Sequence, residues 1–395
     1  MTDSTAPQPI RSVLLVTNPL SGHGRGLTAA AAAAARFADR GVRVTEVRGG
    51  TAEESVRRVR EALAAADAPD AVVCAGGDGL VCITLGALAG SAVPLGLVPG
   101  GTGNDLAREL GVPEHDPIAA ADVVLDGRVR RVDLGTVDPG QKHAGIIEKH
   151  AGIRGEGAGV RGEDAGVRGE GAGVRGEGAG VRGEGAGVRG EGAGVRGEDA
   201  GVRGEDAGSR GEAGAAGFGG SAPVQPIRFA TIVGTGFDAR VTLRANRMRY
   251  PRGPMRYTLA ALAEMASGLA VPYRIELSGV PGQSDGAVVE IEAVMVAVGN
   301  TRSYGGGMLI CPDAVLDDGL LDVTVVGAMS RVEMIRLLPA LAAGKRVDHP
   351  ALSQYRASTI VATAPGAPAT ADGEPAGVLP ATFRALPGAL PVFVP

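Results

Sequence analysis

The chain has 395 residues, a formal net charge of −5 and only 3% aromatic residues, with no tryptophan. A mildly acidic chain with so few aromatic side chains is not typical of a general nucleic-acid-binding protein. A hydrophobic fraction of 44% is enough to build protein cores, which excludes a wholly disordered chain, and the length predicts about two or three domains. Glycine, with 65 residues, is about twice as frequent as usual.

The three cysteines, Cys74, Cys82 and Cys311, do not have the spacing of a metal site or of a disulfide framework. We therefore expect a reducing compartment, the cytoplasm. Residues 1–11 are mostly polar and lack the apolar core of a signal peptide. No run of 18 or more apolar residues is present, so the sequence predicts no membrane-spanning helix.

Strand-like and helix-like segments alternate through the first third of the chain. Residues 12–17 form a continuous apolar run, which is typical of a strand buried on both faces. The further predicted strands are 42–47, 71–75 and 93–98. Helices are predicted between them, and Thr51 with Glu54 predicts a capping box for the second. This alternation predicts a Rossmann-like α/β domain, a parallel sheet with helices on both faces.

Three glycine-rich loops follow strands of this predicted sheet, at residues 18–26, 76–79 and 99–108. In parallel sheets ligands bind beyond the carboxyl ends of the strands, where all three loops emerge. Glycines let backbone N–H groups approach an anion, and the N-terminus of a following helix adds a favourable dipole. A simple strand-to-helix turn explains one such loop more readily than three at one edge.

Carboxylates accompany these glycines, with Asp78 in the second loop and Asp105 in the third, beside Thr102 and Asn104. Carboxylates repel a phosphate unless a cation such as Mg²⁺ lies between them. None of the three loops carries the G-x-G-x-x-G fingerprint or the P-loop consensus, so those two kinds of nucleotide site are disfavoured. The combination predicts binding of a magnesium–nucleotide complex.

Nine copies of a seven-residue unit, such as AGVRGEG, occupy residues 151–213 and contain 23 of the glycines. Each unit has at most one sizeable apolar residue, whereas a coiled coil needs two apolar positions per heptad. We therefore predict a disordered, charge-balanced insertion over 139–223, with a β-solenoid as the alternative. Predicted strands at 130–137 and 227–233 flank it, so it enlarges a loop between neighbouring strands.

The remainder of the chain is rich in short predicted strands separated by glycine-rich turns. These strands cover 228–236, 238–242, 273–277, 288–298, 321–326 and 358–362, and a helix is predicted over 330–341. The pattern is typical of a β-sandwich. We expect two domains, a nucleotide-binding α/β domain over 10–130 and an all-β sandwich lipid-substrate domain over 131–395 that the insertion interrupts.

The loop motifs resemble those of the diacylglycerol kinase catalytic-domain family, which includes bacterial lipid kinases and is related to the sphingosine and ceramide kinases. They are N-P-x-S-G-x-G-R from Asn18, G-G-D-G from Gly76 and P-G-G-T-G-N-D-L-A-R from Pro99. NAD kinases share G-G-D-G, but the long third motif is specific. The resemblance covers nearly the whole chain apart from 138–223. It implies a β-sandwich second domain and an active site between the two domains.

The resemblance also implies roles for particular residues. Glu374, in the motif D-G-E-P, is expected to be the general base that takes the proton of the acceptor hydroxyl. Asp133 is expected to act with Asp78 and Asp105 in linking metal and water to the site. Together with the glycine-loop argument, this predicts nucleotide binding by Asn18, Thr51, Gly76, Gly77, Asp78, Gly79, Leu80, Gly101, Thr102 and Asn104.

Further motifs that match the family lie in the second part, at Gly299-Asn300, Gly305-Gly306-Gly307-Met308 and Asp317 to Asp322. There the resemblance implies a structural Mg²⁺ held by Asp318 and by the main-chain carbonyls of Val315 and Leu320. One departure is Leu80, which stands where the family often has threonine. A contact to phosphate or to metal-bound water must then come from the backbone or elsewhere.

Six arginines lie between residues 240 and 256, interleaved with methionine and tyrosine. They form either a solvated basic surface or a contact with an anionic membrane surface, where each charge contributes about 1 kcal/mol. The following segment, 257–269, is predicted to be an amphipathic helix whose Leu259, Leu262 and Met265 pack into the core.

We therefore predict an ATP-dependent lipid kinase that moves the γ-phosphoryl group of Mg-ATP to a lipid hydroxyl, with diacylglycerol as the expected acceptor. One alternative is a kinase for a soluble substrate, similar to NAD kinase. Another is a catalytically weak regulator that binds a nucleotide or a lipid, which Leu80 and the insertion motivate. The expected partners are ATP and a lipid at the inner face of the membrane, without nucleic acid, and a homodimer is left open.

Overall fold

A computed structural model describes residues 9–18, 25–88, 90–140, 226–248, 250–251, 255–266 and 270–395 of the chain. The repeat segment 151–213 and the rest of the predicted insertion from residue 141 onward lie outside these residues, as do residues 19–24 of the first glycine-rich loop. Two of the six clustered arginines, Arg249 and Arg252, also lie outside them.

The described helices and strands follow one another from Ser12 to Val394. The helices are α1 (Arg25–Asp39), α2 (Ala52–Ala64), α3 (Asp78–Leu88), α4 (Asp105–Glu109), α5 (Pro117–Asp126), α6 (Phe237–Arg247), α7 (Met255–Glu264) and α8 (Arg331–Ala342). The strands are β1 (Ser12–Thr17), β2 (Arg43–Arg48), β3 (Ala71–Gly76), β4 (Leu95–Pro99), β5 (Arg128–Pro139), β6 (Ile227–Phe229), β7 (Ile232–Thr235), β8 (Val271–Ser278), β9 (Ala287–Gly299), β10 (Ser303–Tyr304), β11 (Met308–Leu309), β12 (Leu321–Gly327), β13 (Leu352–Ala357), β14 (Thr359–Thr363), β15 (Pro368–Ala371), β16 (Glu374–Val378) and β17 (Ala381–Val394).

The first third of the chain forms the predicted α/β structure. Strands β1 to β4 are parallel and lie in the order β2-β1-β3-β4, with Val13 of β1 opposite Val44 of β2 and Ala71 of β3. Every residue of β1 and β3 is buried. Helix α1 packs against α5 and α2 packs against α3, which places helices on both faces of the sheet. The apolar runs in the sequence are continuous because helices cover both faces of these strands.

Local signals in the sequence set the start of α2 as predicted. The Thr51 hydroxyl accepts a hydrogen bond from the backbone N–H of Glu54 at 3.1 Å. The Glu54 carboxylate accepts from Gly50 N at 2.9 Å, one residue before the position that a standard capping box uses. The cap therefore forms, but its return bond is shifted by one residue.

Antiparallel strands form the C-terminal part, in the hydrogen-bonded order β16-β15-β7-β9-β8-β14-β17, with β12 between β9 and β13. Phe229, Tyr273 and Phe383 are fully buried in the core that these strands enclose. The last seven residues of β9 are all buried because their side chains divide between this core and a second cluster beneath α6 and α7. The predicted fold class, an α/β part followed by a β-rich part, is confirmed.

Strand β17 connects the two parts. It pairs antiparallel with β5 over most of its length, and Val392 near its end pairs parallel with Leu95 of β4. Leu390, Val392 and Phe393 consequently lie in the core of the α/β part rather than in that of the β-rich part. The register of the β5–β17 pair shifts between Leu386 and Leu390, which marks a bulge at this passage.

Two secondary-structure predictions were wrong. The segment 227–233 is not one strand but two, β6 and β7, because the backbone N–H groups of Ala230 and Thr231 both donate to the carboxylate of Asp372. The segment 238–242 was predicted as a strand and lies inside helix α6. Polar and apolar residues alternate in this segment, which suggested a strand. In the helix, Arg240 and Arg244 lie on one face and form ion pairs with Glu264.

Helix α7 also differs from the prediction. Leu259 and Leu262 were expected in the core, but they are 44% and 52% exposed, whereas Met265 just beyond the helix is buried. The helix instead buries Ala260 and Glu264 against its neighbours. Among the described residues, no helix combines the length and the apolar character needed to cross a bilayer.

Candidate active site

Two of the glycine-rich loops meet at the carboxyl ends of β3 and β4, with backbone packed on backbone. A Cβ atom on Gly101 would lie only 2.5 Å from Gly77 Cα, and one on Gly100 would lie 2.7 Å from Gly26 Cα at the start of α1. Any larger residue at Gly101 or Gly100 would force these loops apart. The predicted convergence of the three loops at one sheet edge is thus seen as far as the described residues extend.

Asn104 folds the third loop onto itself. Its backbone has φ 54°, in the left-handed region that asparagine tolerates better than most residues. Its side-chain Oδ1 accepts from Gly101 N at 3.0 Å, and its Nδ2 donates to the carbonyl of Gly101 at 3.3 Å. Asn104 is itself buried, while Thr102 at the tip of the loop is exposed. Asn104 therefore shapes the loop, and Thr102 is the side chain that a ligand can reach.

Asp78 and Asp105 are brought together as predicted. The backbone N–H of Asp105 donates to Asp78 Oδ1 at 2.8 Å. Asp78 Oδ2 and Asp105 Oδ2 both lie beside Gly103, since a Cβ on Gly103 would lie 2.4 Å from the first and 3.2 Å from the second. Burial, and next the negative charge of Asp105, raise the pKa of Asp78 to about 6. A cation between the two carboxylates would remove this unfavourable pairing.

The Asp105 carboxylate is held from two directions. Arg108, in the same short helix α4, donates to its Oδ1 at 2.8 Å. The backbone N–H groups of Gly306 and Gly307, between β10 and β11, donate to it at 2.9 to 3.1 Å. Asp105 is 4% exposed, so its position is fixed by groups from both parts of the molecule.

Glu374 lies opposite the N-terminus of α3. It follows a two-residue turn between β15 and β16 in which Asp372 and Gly373 both have positive φ, 48° and 82°. This is the hairpin turn for which Asp-Gly is a preferred sequence. A Cβ on Gly79 would lie 3.7 Å from Glu374 Oε1, which places the carboxylate beside the first turn of α3, next to Asp78. The structure thus brings Asp78, Asp105 and Glu374 to one site.

The turn that carries Glu374 is anchored by Asp372. Its carboxylate accepts from Ala230 N at 2.8 Å, from Thr231 N at 2.9 Å and from the Thr231 hydroxyl at 2.5 Å. Asn246 of α6 donates to the carbonyl of Gly373 at 3.0 Å. The D-G-E-P motif is therefore a hairpin tip anchored by hydrogen bonds, and its aspartate helps to position its glutamate.

The remaining predicted nucleotide residues differ in what they can offer. Asn18 and Thr51 follow β1 and β2, at the same sheet edge as the loops. Gly76 ends β3, beside the start of α3. The Leu80 side chain is 4% exposed and points into the core of the α/β part. Leu80 can contribute main-chain atoms to a ligand site but no polar side-chain contact.

Asp133 has different neighbours from Asp78 and Asp105. Its carboxylate accepts from Gly319 N at 2.6 Å and from Gly388 N at 2.7 Å, while Asn300 Nδ2 donates to its carbonyl at 2.9 Å. No hydrogen bond found among the described residues joins Asp133 to Asp78 or Asp105. Asp133 therefore ties β5 to the 316–319 loop and to the bulge in β17.

At the predicted structural metal site, an arginine already forms an ion pair with Asp318. The Asp318 carboxylate accepts from Leu320 N at 3.0 Å and forms an ion pair with Arg356, which also pairs with Asp322 at 3.3 Å. Val315 is 44% exposed. A cation at Asp318 would have to displace the Arg356 guanidinium, so the residues as arranged do not favour a metal ion, and this site stays a prediction.

Two residues with a buried polar contact near the site, Asp238 and Tyr304, were not singled out from the sequence, whereas Asn300 lies in a motif that was. The side chain of Asn300 is buried and bridges the carbonyls of Asp133 and Ala230. Tyr304 directly precedes the three glycines of a recognised motif, which was the available signal. Asp238 was hidden because its segment was predicted as a strand.

Comparisons with known proteins divide the chain in the same way. The family model described as "Diacylglycerol kinase catalytic domain" matches residues 12–137, and that described as "YegS C-terminal NAD kinase beta sandwich-like domain" matches residues 231–394. The chain is 36% identical over 386 residues to a diacylglycerol kinase of Mycobacterium tuberculosis, which covers 98% of this chain and 96% of that protein. It is 34% identical over 100 residues, 25% of this chain and 30% of the relative, to a probable lipid kinase YegS-like of Xanthomonas oryzae pv. oryzae.

Solved structures show the same fold. A putative diacylglycerol kinase from Bacillus anthracis str. Sterne matches with a TM-score of 0.61 and 19% identity, covering 98% of this chain and 99% of that chain. A second structure from the same strain matches with a TM-score of 0.56 and 18% identity, covering 98% of each chain. At such low identity the likeness concerns the fold.

Proposed function

The chain belongs to the diacylglycerol kinase family and is a lipid kinase that uses ATP, and we propose that its acceptor is the hydroxyl group of diacylglycerol, which becomes phosphatidic acid. The observation that supports this most directly is the position of Glu374 Oε1 beside the first turn of α3, where Asp78 lies. A candidate base and a candidate phosphate loop thus face one another. The NAD kinase-like alternative and the weak-regulator alternative are not favoured.

In the proposed reaction the acceptor oxygen forms a bond to the γ-phosphorus as the bond from that phosphorus to the β,γ-bridging oxygen breaks, and ADP leaves. The acceptor proton goes to the Glu374 carboxylate, which suits a carboxylate within reach of the phosphate loop.

The rest of the catalysis is positioning and charge stabilisation. Gly76, Gly77, Gly79 and Gly101 would supply backbone N–H groups to the phosphates. Thr102 would add its exposed hydroxyl, with main-chain atoms of Leu80 beside it, and Asn18 and Thr51 would contact the rest of the nucleotide.

Asp78 and Asp105 fit a role with Mg²⁺. Mg²⁺ is usually held by one or two carboxylates together with substrate phosphates rather than by a complete protein cage. The described residues contain no cluster of three or more acidic, His or Cys side chains that could hold a metal ion alone. We infer that Asp78 would hold the cation, with Asp105 beside it, and that Mg²⁺ bound there would supply neutralisation of phosphate charge. Asp133 acts in this proposal by fixing β5 beside the site.

A division of labour follows from this arrangement. We propose that residues 10–130 bind the nucleotide and that residues 131–395 provide Glu374 and the lipid-binding surface. The proposed cytoplasmic location and a homodimer remain predictions from the sequence.

We also propose that α7 contacts the membrane in which the substrate is dissolved. Tyr250, Met255, Leu259 and Leu262 are 74%, 63%, 44% and 52% exposed, and they lie within thirteen residues of one another. Arg256 stacks on Tyr257 with 4.9 Å between its guanidinium carbon and the ring centroid. Exposed apolar side chains beside cationic ones are typical of a surface that binds an anionic bilayer.

A lipid-panel assay tests the proposed activity. The purified full chain, given γ-labelled Mg-ATP and mixed micelles of single lipids, should transfer label to diacylglycerol and not to NAD. Glu374→Gln should lower kcat by about a thousand-fold, because general base catalysis and acceptor positioning are lost together, while ATP binding measured by calorimetry is retained. Glu276→Gln, a change in β8, serves as the control. Label transfer that survives in the Glu374 variant would remove Glu374 as the base.

A further inference from the structure

The turn between β10 and β11 reaches from the β-rich part to the phosphate loops. Its three glycines, Gly305, Gly306 and Gly307, have φ values of 61°, 91° and 103°, which residues with a side chain rarely adopt. The turn presents two consecutive N–H groups to the Asp105 carboxylate, at 2.9 to 3.1 Å. It therefore acts as a small anion-binding concavity whose anion is an aspartate of the other part.

The base of this turn is fixed by a hydroxyl–carboxylate pair. The phenol of Tyr304, which directly precedes the glycines, donates to Asp238 Oδ1 at 2.5 Å. Asp238 lies in the first turn of α6, and Gly234 of β7 packs so closely that a Cβ there would lie 1.8 Å from Asp238 Oδ2. The Asp238 carboxylate is thus packed against β7 through one oxygen and accepts from Tyr304 through the other.

Stability alone does not account for this pair. Removing water from a carboxylate costs free energy that a hydrogen bond only partly returns. Burial accordingly raises the pKa of Asp238 to about 6, although the Tyr304 hydroxyl acts in the opposite direction. An apolar pair of similar volume would fill the same space without this cost, but it would not fix the direction of the glycine turn.

We propose that Tyr304 and Asp238 are positioning residues for phosphoryl transfer: they hold the glycine turn so that its N–H groups fix Asp105, whose own N–H then orients Asp78. The chain of contacts runs Asp238–Tyr304–Gly305–Gly306–Asp105–Asp78, and each link is a hydrogen bond or a peptide bond. A second link braces the same junction, because Arg302 of the β-rich part pairs with Glu109 of α4 at 2.8 Å. The inference rests on the proposed role of Asp78 and Asp105 in holding the nucleotide and its cation.

Tyr304→Phe tests this inference, with Tyr273→Phe as the matched control. Tyr273 is also buried and also loses one hydroxyl bond, to Thr235 Oγ1 at 3.1 Å, but no hydrogen bond among the described residues joins it to the glycine turn. Tyr304→Phe should lower kcat by about ten-fold or more, because small misplacements of reacting groups are costly, and leave the KM for diacylglycerol unchanged. Tyr273→Phe should lower the melting temperature comparably but leave kcat within about two-fold of the wild type.

Two further variants keep the test decisive. Asp238→Asn retains an acceptor for the Tyr304 hydroxyl and should lose less kcat than Asp238→Ala, as a positioning role requires. Gly306→Ala should lower kcat through strain in the turn, whereas Gly366→Ala, with φ 65° and open space around it, should only lower stability. Equal kcat in Tyr304→Phe and Tyr273→Phe would overturn the inference. Failure of the proposed function shows separately, as a wild-type protein that labels no lipid.

Discussion

Asp78 carries the clearest electrostatic cost among the described residues of the site. Its pKa of about 6 means that the folded protein binds a proton more readily than the unfolded chain does, where the value is near 3.8. Between these two values the folded state holds more protons, so stability falls as the pH rises from about 4 to about 6 and stays lower above that. The buried Asp78 carboxylate therefore lowers folding stability at neutral pH, where it is ionised and able to bind a cation.

Asp78→Asn should reveal this cost directly. The amide is neutral at every pH and still accepts the hydrogen bond from Asp105 N, so the variant should melt at a higher temperature than the wild type at pH 7.5. The difference should vanish near pH 4. Thermal unfolding without nucleotide or Mg²⁺ measures both. A variant that melts below the wild type at pH 7.5 would contradict the assigned cause of the pKa shift.

Asp126→Asn provides a control of opposite sign. Arg40 donates to both oxygens of this surface carboxylate at 2.6 and 2.9 Å and holds its pKa below the usual range. A lowered pKa gives stability that is present above the unfolded value and is lost as the pH falls. Asp126→Asn should therefore melt slightly below the wild type at neutral pH and equal it in acid.

Single residues also show what the sequence could not reveal. Glycines and carboxylates after buried strands predicted the place of Asp78 and Asp105, because parallel strands present their carboxyl ends at one edge. The Tyr304–Asp238 pair joins side chains 66 positions apart in the chain, and no local pattern marks such a contact. The role of Leu80 likewise needed its burial, which removes its side chain from any polar site.

At the scale of elements, periodicity predicted strands well where both faces are buried. Residues 12–17 were predicted with the bounds that β1 has, because an uninterrupted apolar run permits few alternatives. The stretch Asp238 to Thr242 was predicted wrongly because its alternation fits a strand as well as a helix. The contacts of Arg240 and Arg244 with Glu264 of another helix show the helical face, and the sequence does not reveal them.

Helix α7 yields the prediction for membrane contact. Leu259→Asp with Leu262→Asp should weaken binding to vesicles of anionic lipid by about ten-fold or more, since each leucine loses apolar burial of roughly 1.5 kcal/mol or more. Both side chains are about half exposed, so the melting temperature should change little. Co-sedimentation measures the binding, and turnover of a soluble short-chain diacylglycerol should be retained.

Val288→Asp is the matched control for this surface. Val288 is 56% exposed on β9 and is thus as accessible as the leucines of α7, but it lies on a different element. If the leucine variant sediments with vesicles as well as the Val288 variant does, the membrane surface lies elsewhere.

At the scale of the whole molecule, β17 decides how the parts are joined. The predicted division at residues 130 and 131 followed composition and motif positions, which carry no information about long-range pairing. The structure returns Leu390, Val392 and Phe393 to the first core through a parallel pair with β4. The bulge that allows this passage is held by Gly388 N on Asp133, a contact between residues 255 positions apart.

The insertion gives the last prediction. Its flanking strands β5 and β6 are antiparallel neighbours, with Val137 opposite Ile227 and Gly135 opposite Phe229, so a short connection can join them. Loop-closure entropy grows only with the logarithm of loop length, and deleting residues 151–213 should raise stability by about 1 kcal/mol at most. The shortened chain should phosphorylate diacylglycerol in mixed micelles with kcat within about two-fold of the full chain. A loss of kcat with an unchanged melting temperature would instead show that the repeats take part in catalysis or substrate access.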